Sequence, residues 1–242
     1  MSSAVRRLVI ITGAGLSAES GLATFRDAGG IWSQYDLAEV CSYPGWRRHR
    51  AKVFEFYAKC KEEVLAAQPN SAHHCLARWQ QKWGPQRVKL LTQNVDDLLE
   101  RAGAERVMHL HGELTSLLCD NCYRKFDIGR GPVDPTRACP LCHEVEPVKP
   151  GVVMFGETSP GYHRLGAAVD GLEPEDILLV IGTSMQVIPV SRLVPAWRTG
   201  HALNWQVNPA PAEPVYFGWN VAASACDGLP QLEPMLSQLM SD

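Results

Sequence analysis

Four cysteines form the most specific chemical pattern in the sequence. Two residues separate Cys119 from Cys122, two separate Cys139 from Cys142, and sixteen lie between the pairs. Two such pairs can surround one tetrahedral Zn²⁺ with four thiolates, which leaves no coordination position open for a substrate. We therefore expect a structural zinc ribbon. The alternatives are a redox-active pair or free thiols.

A glycine-rich turn follows the first apolar run of the chain. Residues 8–11 (LVII) predict a buried parallel strand, and residues 13–18 (GAGLSA) match the pattern G-x-G-x-x-[G/A]. In this pattern the first glycine permits a tight turn and the second lets the backbone approach a phosphate. Small Ala18 would let a following helix pack on the strand, with its N-terminal amides facing an anion. The turn indicates a dinucleotide site; the alternative is a tight turn without a ligand.

The glycine pattern lacks the acidic residue that usually accompanies it. A simple dinucleotide fold places Asp or Glu at the end of a second strand, about 20 residues further on, to hold the ribose. Here residues 25–30 (FRDAGG) are typical of a loop. We therefore expect a cofactor that is bound differently from that of a simple dehydrogenase. Arg26 is a candidate for holding pyrophosphate or substrate; the alternative is a solvated surface arginine.

Five apolar runs end in polar or glycine-containing residues, at 12–15, 92–96, 111, 182–184 and 208. In a parallel sheet these ends lie on one rim, so together they predict a nucleotide-handling active site. His111 follows the third run. Because the unperturbed pKa of histidine lies near working pH, His111 is a candidate general base; a structural histidine is the alternative.

Composition bounds the class of protein. The 242 residues are 45% hydrophobic and 20% charged with a net charge of -3, which fits a globular domain with a smaller insert and does not favour nucleic acid. No apolar stretch reaches the roughly 18 residues of a membrane span. We expect the eight cysteines to lie in a reducing cytoplasm, where clustered cysteines indicate metal or redox chemistry.

The order of these patterns predicts an α/β fold with two inserts. Residues 1–32, 88–112 and 151–242 would form a Rossmann-like domain with a parallel sheet. Residues 33–87, largely helical, and the zinc ribbon of residues 113–150 would form a small domain. Residues 151–157 (GVVMFGE) predict either a short core strand or an exposed edge on which an extended peptide adds as a strand.

Taken together, the motifs resemble those of the sirtuins, which are NAD-dependent protein-lysine deacylases. The resemblance covers nearly the whole chain and rests on GAGLSAESGLATFR, TQNVDDLLERAG, HLHGEL, the four cysteines, VVMFGE and IGTS, in that order. It implies a Rossmann-like large domain and a small domain of zinc ribbon and helices that flank a cleft. The cofactor-binding residues implied are Gly13, Ala14, Gly15, Ala18, Phe25, Arg26, Gln93, Asn94, Asp96, Gly182, Thr183, Ser184, Asn208 and Cys226.

The resemblance also implies the chemistry. The acyl oxygen of an acyl-lysine would attack the nicotinamide ribose and expel nicotinamide, with His111 as general base toward the ribose hydroxyls and with Asn94 and Asp96 positioning the ribose and a water. The products would be free lysine, nicotinamide and O-acyl-ADP-ribose. The peptide would enter as a strand beside Val152 and Val153, and the substrate site would include Tyr57, Cys60, Val152, Val153 and Phe155.

One departure bears on the acyl group. The sequence is most similar to the subgroup that removes succinyl, malonyl and glutaryl groups, which carries Tyr-x-x-Arg on a helix of the small domain. Tyr57 matches this motif, but Cys60 replaces the arginine. A thiol cannot clamp a carboxylate, so we expect neutral acyl groups to be preferred. Lys61 could partly substitute as a charge; we interpret it as a solvated lysine.

Two other functions remain open on the same scaffold. The first is ADP-ribosyl transfer or NAD hydrolysis, in which a protein side chain or water captures the ribosyl group. The second is a non-enzymatic NAD sensor or nucleic-acid-binding module built on the zinc ribbon. We expect acylated proteins as partners, no membrane or nucleic acid, and a monomer or weak oligomer.

Overall fold

A computed structural model of the chain describes residues 6–24, 34–144, 148–189 and 194–241. The candidate cofactor residues Phe25 and Arg26 lie outside these described ranges. No helix in the described ranges is long and apolar enough to cross a membrane.

A six-stranded parallel sheet forms the larger part of the structure. Its strands are β1 (Leu8–Thr12), β2 (Val88–Thr92), β3 (Met108–His109), β7 (Ile177–Ile181), β8 (Asn204–Val207) and β9 (Trp219–Val221). They lie in the order β3-β2-β1-β7-β8-β9, and every neighbouring pair is parallel. The carboxyl ends of all six strands therefore meet at one rim, as the α/β prediction requires.

Helices cover both faces of this sheet, because β1 alternates its apolar side chains between two cores. Leu8 and Ile10 pack in a cluster with residues of α4 (Ser71–Trp83) and α7 (Ala225–Ser241). Val9 and Ile11 pack on the opposite face in a cluster with residues of α6 (Pro160–Asp170). A strand buried on both faces has no polar alternation, which explains the continuous apolar run in the sequence.

A smaller unit surrounds the cysteines. Its antiparallel sheet has the order β5-β4-β6, formed by β4 (Gly112–Cys119), β5 (Lys125–Asp127) and β6 (Val148–Val152). Its helices are α1 (Leu37–Val40), α2 (Tyr43–Arg48) and α3 (Arg50–Ala66). Side chains of α3, β4 and β6 share a third hydrophobic cluster. The short helix α5 (Leu98–Arg101) follows β2 in the larger unit.

Several element bounds differ from expectation. The helical stretch of residues 33–87 divides between the two cores, because α4 packs against the sheet while α3 packs with the zinc ribbon. Asn70 is the N-cap of α4, and its side chain accepts hydrogen bonds from the backbone N–H groups of Ala72 and His73. The strand expected within residues 151–157 ends at Val152 and begins at Val148. The α-helix expected after Ala18 is replaced by two 3₁₀ turns, Ala14–Leu16 and Ala18–Ser20, the second of which ends at Gly21 with a φ of +86°.

Candidate active site and zinc centre

The loops that follow β1, β2, β7 and β8 are bonded to one another at the rim. Gly15 N donates to Gly182 O at 2.8 Å, and Gln93 Nε2 donates to Thr183 Oγ1 at 3.1 Å. Asn208 Nδ2 donates to Thr183 O at 2.7 Å. Five of the predicted cofactor residues, drawn from four strand ends, are thus brought into one connected group.

Close packing of two loops accounts for the glycines. A Cβ added to Gly13 would lie 2.8 Å from Gly182 O, and one added to Gly15 would lie 2.7 Å from Gly182 Cα. Any side chain at these positions would therefore push the two rim loops apart. The expectation for Ala18 is wrong: its side chain is exposed beside the turn and packs between no helix and strand. Ala14 is exposed as well.

A buried polar network lies beneath this rim. Ser17 Oγ donates to Asp96 Oδ2 at 2.9 Å and accepts a hydrogen bond from Asn94 Nδ2 at 3.1 Å. The ring of His73 on α4 lies 3.3 Å from the same hydroxyl through Nε2. Burial raises the pKa of Asp96 and lowers the pKa of His73 to about 4, so His73 is neutral near pH 7. A neutral imidazole, a hydroxyl, an amide and a carboxyl group are all donors or acceptors suited to ribose hydroxyls.

His111 lies at the end of the same rim. Its Nδ1 lies 2.9 Å from Gln93 O, a backbone carbonyl that can only accept, so Nδ1 carries a proton. The lone pair of the neutral ring is then on Nε2. Burial lowers the pKa of His111, although the Gln93 carbonyl opposes this. The side chain is therefore an available base near neutral pH.

A second histidine supports the loop that carries Asn94. His109 Nδ1 lies 2.9 Å from Asn94 O, and His109 Nε2 lies 2.9 Å from a carboxylate oxygen of Glu100 on α5. Both partners are acceptors, so both bonds are complete when the ring is protonated, and the arrangement favours the imidazolium. Burial alone would lower the pKa of His109, but the hydrogen bond and charge of Glu100 and the Asn94 carbonyl outweigh it and raise the pKa.

Ser184 and Cys226 are the other predicted cofactor residues within the described ranges. Ser184 is partly buried in the loop after β7. Cys226 stands at the start of α7, where its backbone N–H donates to Glu19 of the glycine-rich segment at 3.1 Å.

The segment after β6 is fixed from both sides. Val153 N donates to His111 O at 2.8 Å, and Phe155 N donates to Cys41 O at 2.8 Å. Lys149 Nζ donates to Val152 O at 2.9 Å and to Glu157 Oε2 at 2.7 Å, and that carboxylate also accepts Met154 N at 2.8 Å. The predicted peptide-binding residues Val152 and Val153 thus lie directly beside His111, and the side chain of Phe155 is exposed.

The predicted acyl-selectivity residues are buried in the smaller unit. Tyr57 and Cys60 share an apolar cluster with Cys41, Val152 and Met154, and the Tyr57 hydroxyl is hydrogen-bonded to the Cys41 thiol. Burial raises the pKa of Cys60, so its thiol is neutral.

The interpretation of Lys61 as a solvated lysine is wrong. Its residue is only 4% exposed, and Nζ donates to Gly129 O at 2.8 Å. The ammonium group is therefore bound to the ribbon loop after β5.

The four predicted zinc ligands converge as expected. Their sulfur atoms all lie within 4.8 Å of one another, with Cys119 Sγ 3.6 Å from Cys142 Sγ and Cys122 Sγ 3.8 Å from Cys139 Sγ. A tetrahedron with Zn–S bonds of about 2.3 Å has edges of about 3.8 Å. The cluster therefore fits one zinc ion with four thiolates and no open position.

Two groups of the site were missed in the sequence. Ser17 lies inside the glycine motif but has no role in that pattern, and no pattern in the sequence links His73 to the site. His73 does take part in the cap, since Asn70 N donates to its Nδ1 at 3.2 Å. Its second role depends on α4 packing beneath β1, which residue spacing alone does not show.

Comparison with known proteins agrees with this arrangement. The model of the Sir2 family matches residues 13–189. An NAD-dependent protein deacylase of Helicobacter hepaticus is 41% identical over 230 residues, which covers 87% of this chain and 89% of that protein. An NAD-dependent protein deacylase of Helicobacter pylori strain J99 is 36% identical over 247 residues and covers 98% and 99% of the two chains.

Solved structures show the same fold. A mutant Sir2 homologue in complex with ADP-ribose superposes with a TM-score of 0.81 at 32% identity, covering 97% of this chain and 93% of that chain. A Sir2 homologue in complex with NAD gives a TM-score of 0.75 at 32% identity, covering 97% and 90%.

Proposed function

The chain belongs to the Sir2 family, and from this premise we propose that it is an NAD-dependent protein-lysine deacylase that releases nicotinamide and O-acyl-ADP-ribose. The observation that carries the proposal is the joining of Ser17, Asn94, Asp96 and His111 at one rim, beside the segment Val152–Val153. The names of its relatives support the same activity. So does a structural neighbour, at 32% identity, that is a mutant Sir2 homologue in complex with 2′-O-acetyl ADP-ribose.

The rim offers hydrogen-bond donors and acceptors that suit NAD. The backbone of the glycine-rich turn and the side chains of Gln93, Thr183, Ser184 and Asn208 supply neutral donors and acceptors for phosphate and ribose oxygens. Phe25 and Arg26 extend this set in the proposal, and Cys226 marks the end of the site beside Glu19. When bound, NAD supplies the ribosyl group that receives the acyl oxygen, and nicotinamide is its leaving group.

Each residue of the site has its own role in the proposed reaction. Asn94 and Asp96, held by Ser17, orient the ribose hydroxyls and a water. His111 removes a proton from a ribose hydroxyl through Nε2, and its Nδ1–H bond to Gln93 O keeps that lone pair in place. Because burial lowers the pKa of His111, the ring is neutral and ready to accept the proton near pH 7.

The acylated peptide binds beside the segment after β6. In the proposal its main chain adds as an extended strand near Val152 and Val153, and the exposed ring of Phe155 contacts the peptide or its acyl-lysine. The zinc ribbon, whose closed ligand set excludes a direct chemical role, supports this segment because β4 pairs with β6.

Neutral acyl groups are the proposed substrates. Cys60 is an apolar, neutral thiol where the related subgroup has arginine, and Lys61 is bound to Gly129 O. An acidic acyl group would therefore enter without a charged partner at this position, which disfavours it. The Cys60→Arg variant should raise desuccinylation relative to deacetylation. An unchanged ratio in a folded variant contradicts this explanation of selectivity.

The cysteines and the net charge bear on the cellular context and the partners. All eight cysteines are free thiols and four of them fit a zinc site, which supports a reducing cytoplasm. The net charge of -3 supports protein substrates rather than nucleic acid. The protein is proposed to act as a monomer or weak oligomer.

Mass spectrometry of a lysine peptide tests the proposal. The peptide carries an acetyl, longer neutral, succinyl or malonyl group and is incubated with and without NAD. We expect NAD-dependent loss of the neutral acyl groups, abolished by His111→Ala and retained by His74→Ala, which changes an exposed histidine of α4. NAD consumption with every acyl group intact would instead support ADP-ribosyl transfer or NAD hydrolysis, and NAD binding without turnover would support a sensor.

A further inference from the structure

The first turn of α6 is fastened to the strand end that carries His111. Ser159, the N-cap of α6, is buried; its hydroxyl donates to Leu110 O and accepts Gly161 N at 3.0 Å. Gly161 packs so closely that an added Cβ would lie 2.9 Å from Leu110 Cα. The contacts of Ser159 and Gly161 thus fix the start of this helix against Leu110, the residue that precedes His111.

The next residue, Tyr162, reaches the imidazole itself. Its hydroxyl lies 3.1 Å from His111 Nε2, and the two rings meet edge to face with centroids 5.9 Å apart. Since Nδ1 of His111 donates to Gln93 O, Nε2 of the neutral ring is an acceptor and the phenol O–H is the donor. The imidazole is therefore held at both nitrogens, by a carbonyl at one and a hydroxyl at the other.

We propose that Tyr162 is a positioning residue for the general base, whose hydroxyl fixes the orientation of the His111 ring that has its proton on Nδ1 and its lone pair on Nε2. This inference rests on the proposed function for its catalytic consequence. Tyr162 is 39% exposed, so its hydroxyl can yield to a substrate hydroxyl at Nε2 without unpacking a core. No proton or electron is transferred to the tyrosine.

The other titratable groups that surround His111 in the described structure are engaged elsewhere. Asp96 in the loop after β2 bonds Ser17 and the amide of Leu98. His109 on β3 bonds Asn94 O and Glu100. Glu113 on β4 pairs with Lys125. In the described residues, the side chain that contacts Nε2 of His111 is therefore that of Tyr162.

Removing the hydroxyl should lower the pKa of His111, because the hydroxyl donates to Nε2 of the neutral ring but accepts a stronger, charge-assisted bond from Nε2–H of the charged ring. The difference between a charge-assisted and a neutral hydrogen bond is worth about a two- to tenfold change in an equilibrium constant, so we expect a downward shift of roughly 0.3 to 1 pH unit. The acid limb of the kcat/KM profile should move by the same amount, since that limb reports the free enzyme.

The experiment compares Tyr162→Phe with the wild type in the free protein and in turnover. Histidine NMR titration without NAD measures the pKa of His111, whose signal is identified by its loss in His111→Ala. Two reactions are then followed across pH: deacylation and the exchange of labelled nicotinamide into NAD, which precedes the step that needs His111. Tyr123→Phe, 80% exposed on the ribbon, is the matched control.

The proposal predicts a lowered His111 pKa, a matching shift of the deacylation profile and unchanged nicotinamide exchange in Tyr162→Phe. An unaltered pKa, or an equal fall of both reactions, overturns it. Ser159→Ala, which releases the helix start without touching the tyrosine, should shift the pKa in the same direction and serves if Tyr162→Phe fails to fold. If the wild type shows no deacylation, the proposed function fails, while the NMR result still decides the role of Tyr162.

Discussion

The buried ion pair between Lys149 and Glu157 should be essential to the segment that follows β6. The Lys149 side chain is 1% exposed and that of Glu157 is 21% exposed. Together they make the bonds to Val152 O and Met154 N that close the segment into its turn. Replacing Lys149 with methionine keeps much of the apolar volume but leaves the Glu157 carboxylate without its cation.

The expected loss of stability is large. Removing one partner of a buried pair costs about 3–5 kcal/mol, and the partial exposure of Glu157 places this pair near about 3 kcal/mol. For a chain of this size each kcal/mol lowers the melting temperature by about 2–4 °C, so Lys149→Met should lower it by roughly 6–12 °C. The double variant Lys149→Met/Glu157→Gln should recover part of the loss, with a coupling energy of about 1–3 kcal/mol.

Thermal unfolding and steady-state kinetics measure these effects together. We expect the KM for the acylated peptide to rise in Glu157→Gln while the KM for NAD stays near that of the wild type, because the pair holds the peptide segment and not the rim loops. Lys59→Met removes the exposed pair with Glu55 and should leave both the melting temperature and the kinetics unchanged. The reasoning would be refuted if Lys149→Met had the melting temperature of the wild type, or if the stability losses of the two single substitutions simply added in the double variant.

Three further predictions concern the supporting groups. Zinc removal by a chelator, or Cys139→Ser, should lower the melting temperature and abolish peptide turnover; an unchanged melting curve after metal loss would contradict the structural role. Burial lowers the pKa of His73 to about 4, below its ordinary 6.5, so the unfolded chain binds the proton first as the pH falls. The free energy of unfolding should therefore decrease as the pH drops from about 6.5 to 4, and in urea titrations His73→Gln should show a weaker dependence on pH. A pH dependence equal to that of the wild type would refute this prediction. His109 has a raised pKa, so its bonds to Asn94 O and Glu100 are complete at low pH and one is lost as the pH rises through that pKa. We expect kcat/KM for NAD to decline there and His109→Gln to remove the decline; a decline that persists in His109→Gln would contradict this role.

Much of the fold was predictable because its strands have a recognisable sequence pattern. A strand buried on both faces must be apolar throughout, and each such run here is followed by polar or glycine-containing residues. These two signals placed the rim and, with it, His111 and Asn94. The four candidate zinc ligands were equally easy to predict from the sequence, since their spacing is local and the chemistry of four thiolates is specific.

The parts that sequence reasoning missed depend on tertiary contacts. Local spacing shows neither that α4 packs under β1, which brings His73 to Ser17, nor that Lys61 turns inward to Gly129 O. Within residues 18–24, the segment after Ala18 forms a 3₁₀ turn that ends at Gly21, where φ is +86°, instead of the expected helix. The glycines were recognised as a motif, but their packing against Gly182 becomes visible only when the loops after β1 and β7 meet.

The most direct test of the central claim is the stoichiometry of products from one acetylated peptide. Free peptide, nicotinamide and O-acetyl-ADP-ribose are quantified from the same reaction by liquid chromatography and mass spectrometry. If the rim loops and His111 form a deacylase site, the three products appear in equal amounts, and His111→Ala loses the peptide and acetyl products. Nicotinamide released in excess of an intact acetylated peptide, with plain ADP-ribose or modified protein as the second product, would contradict the account.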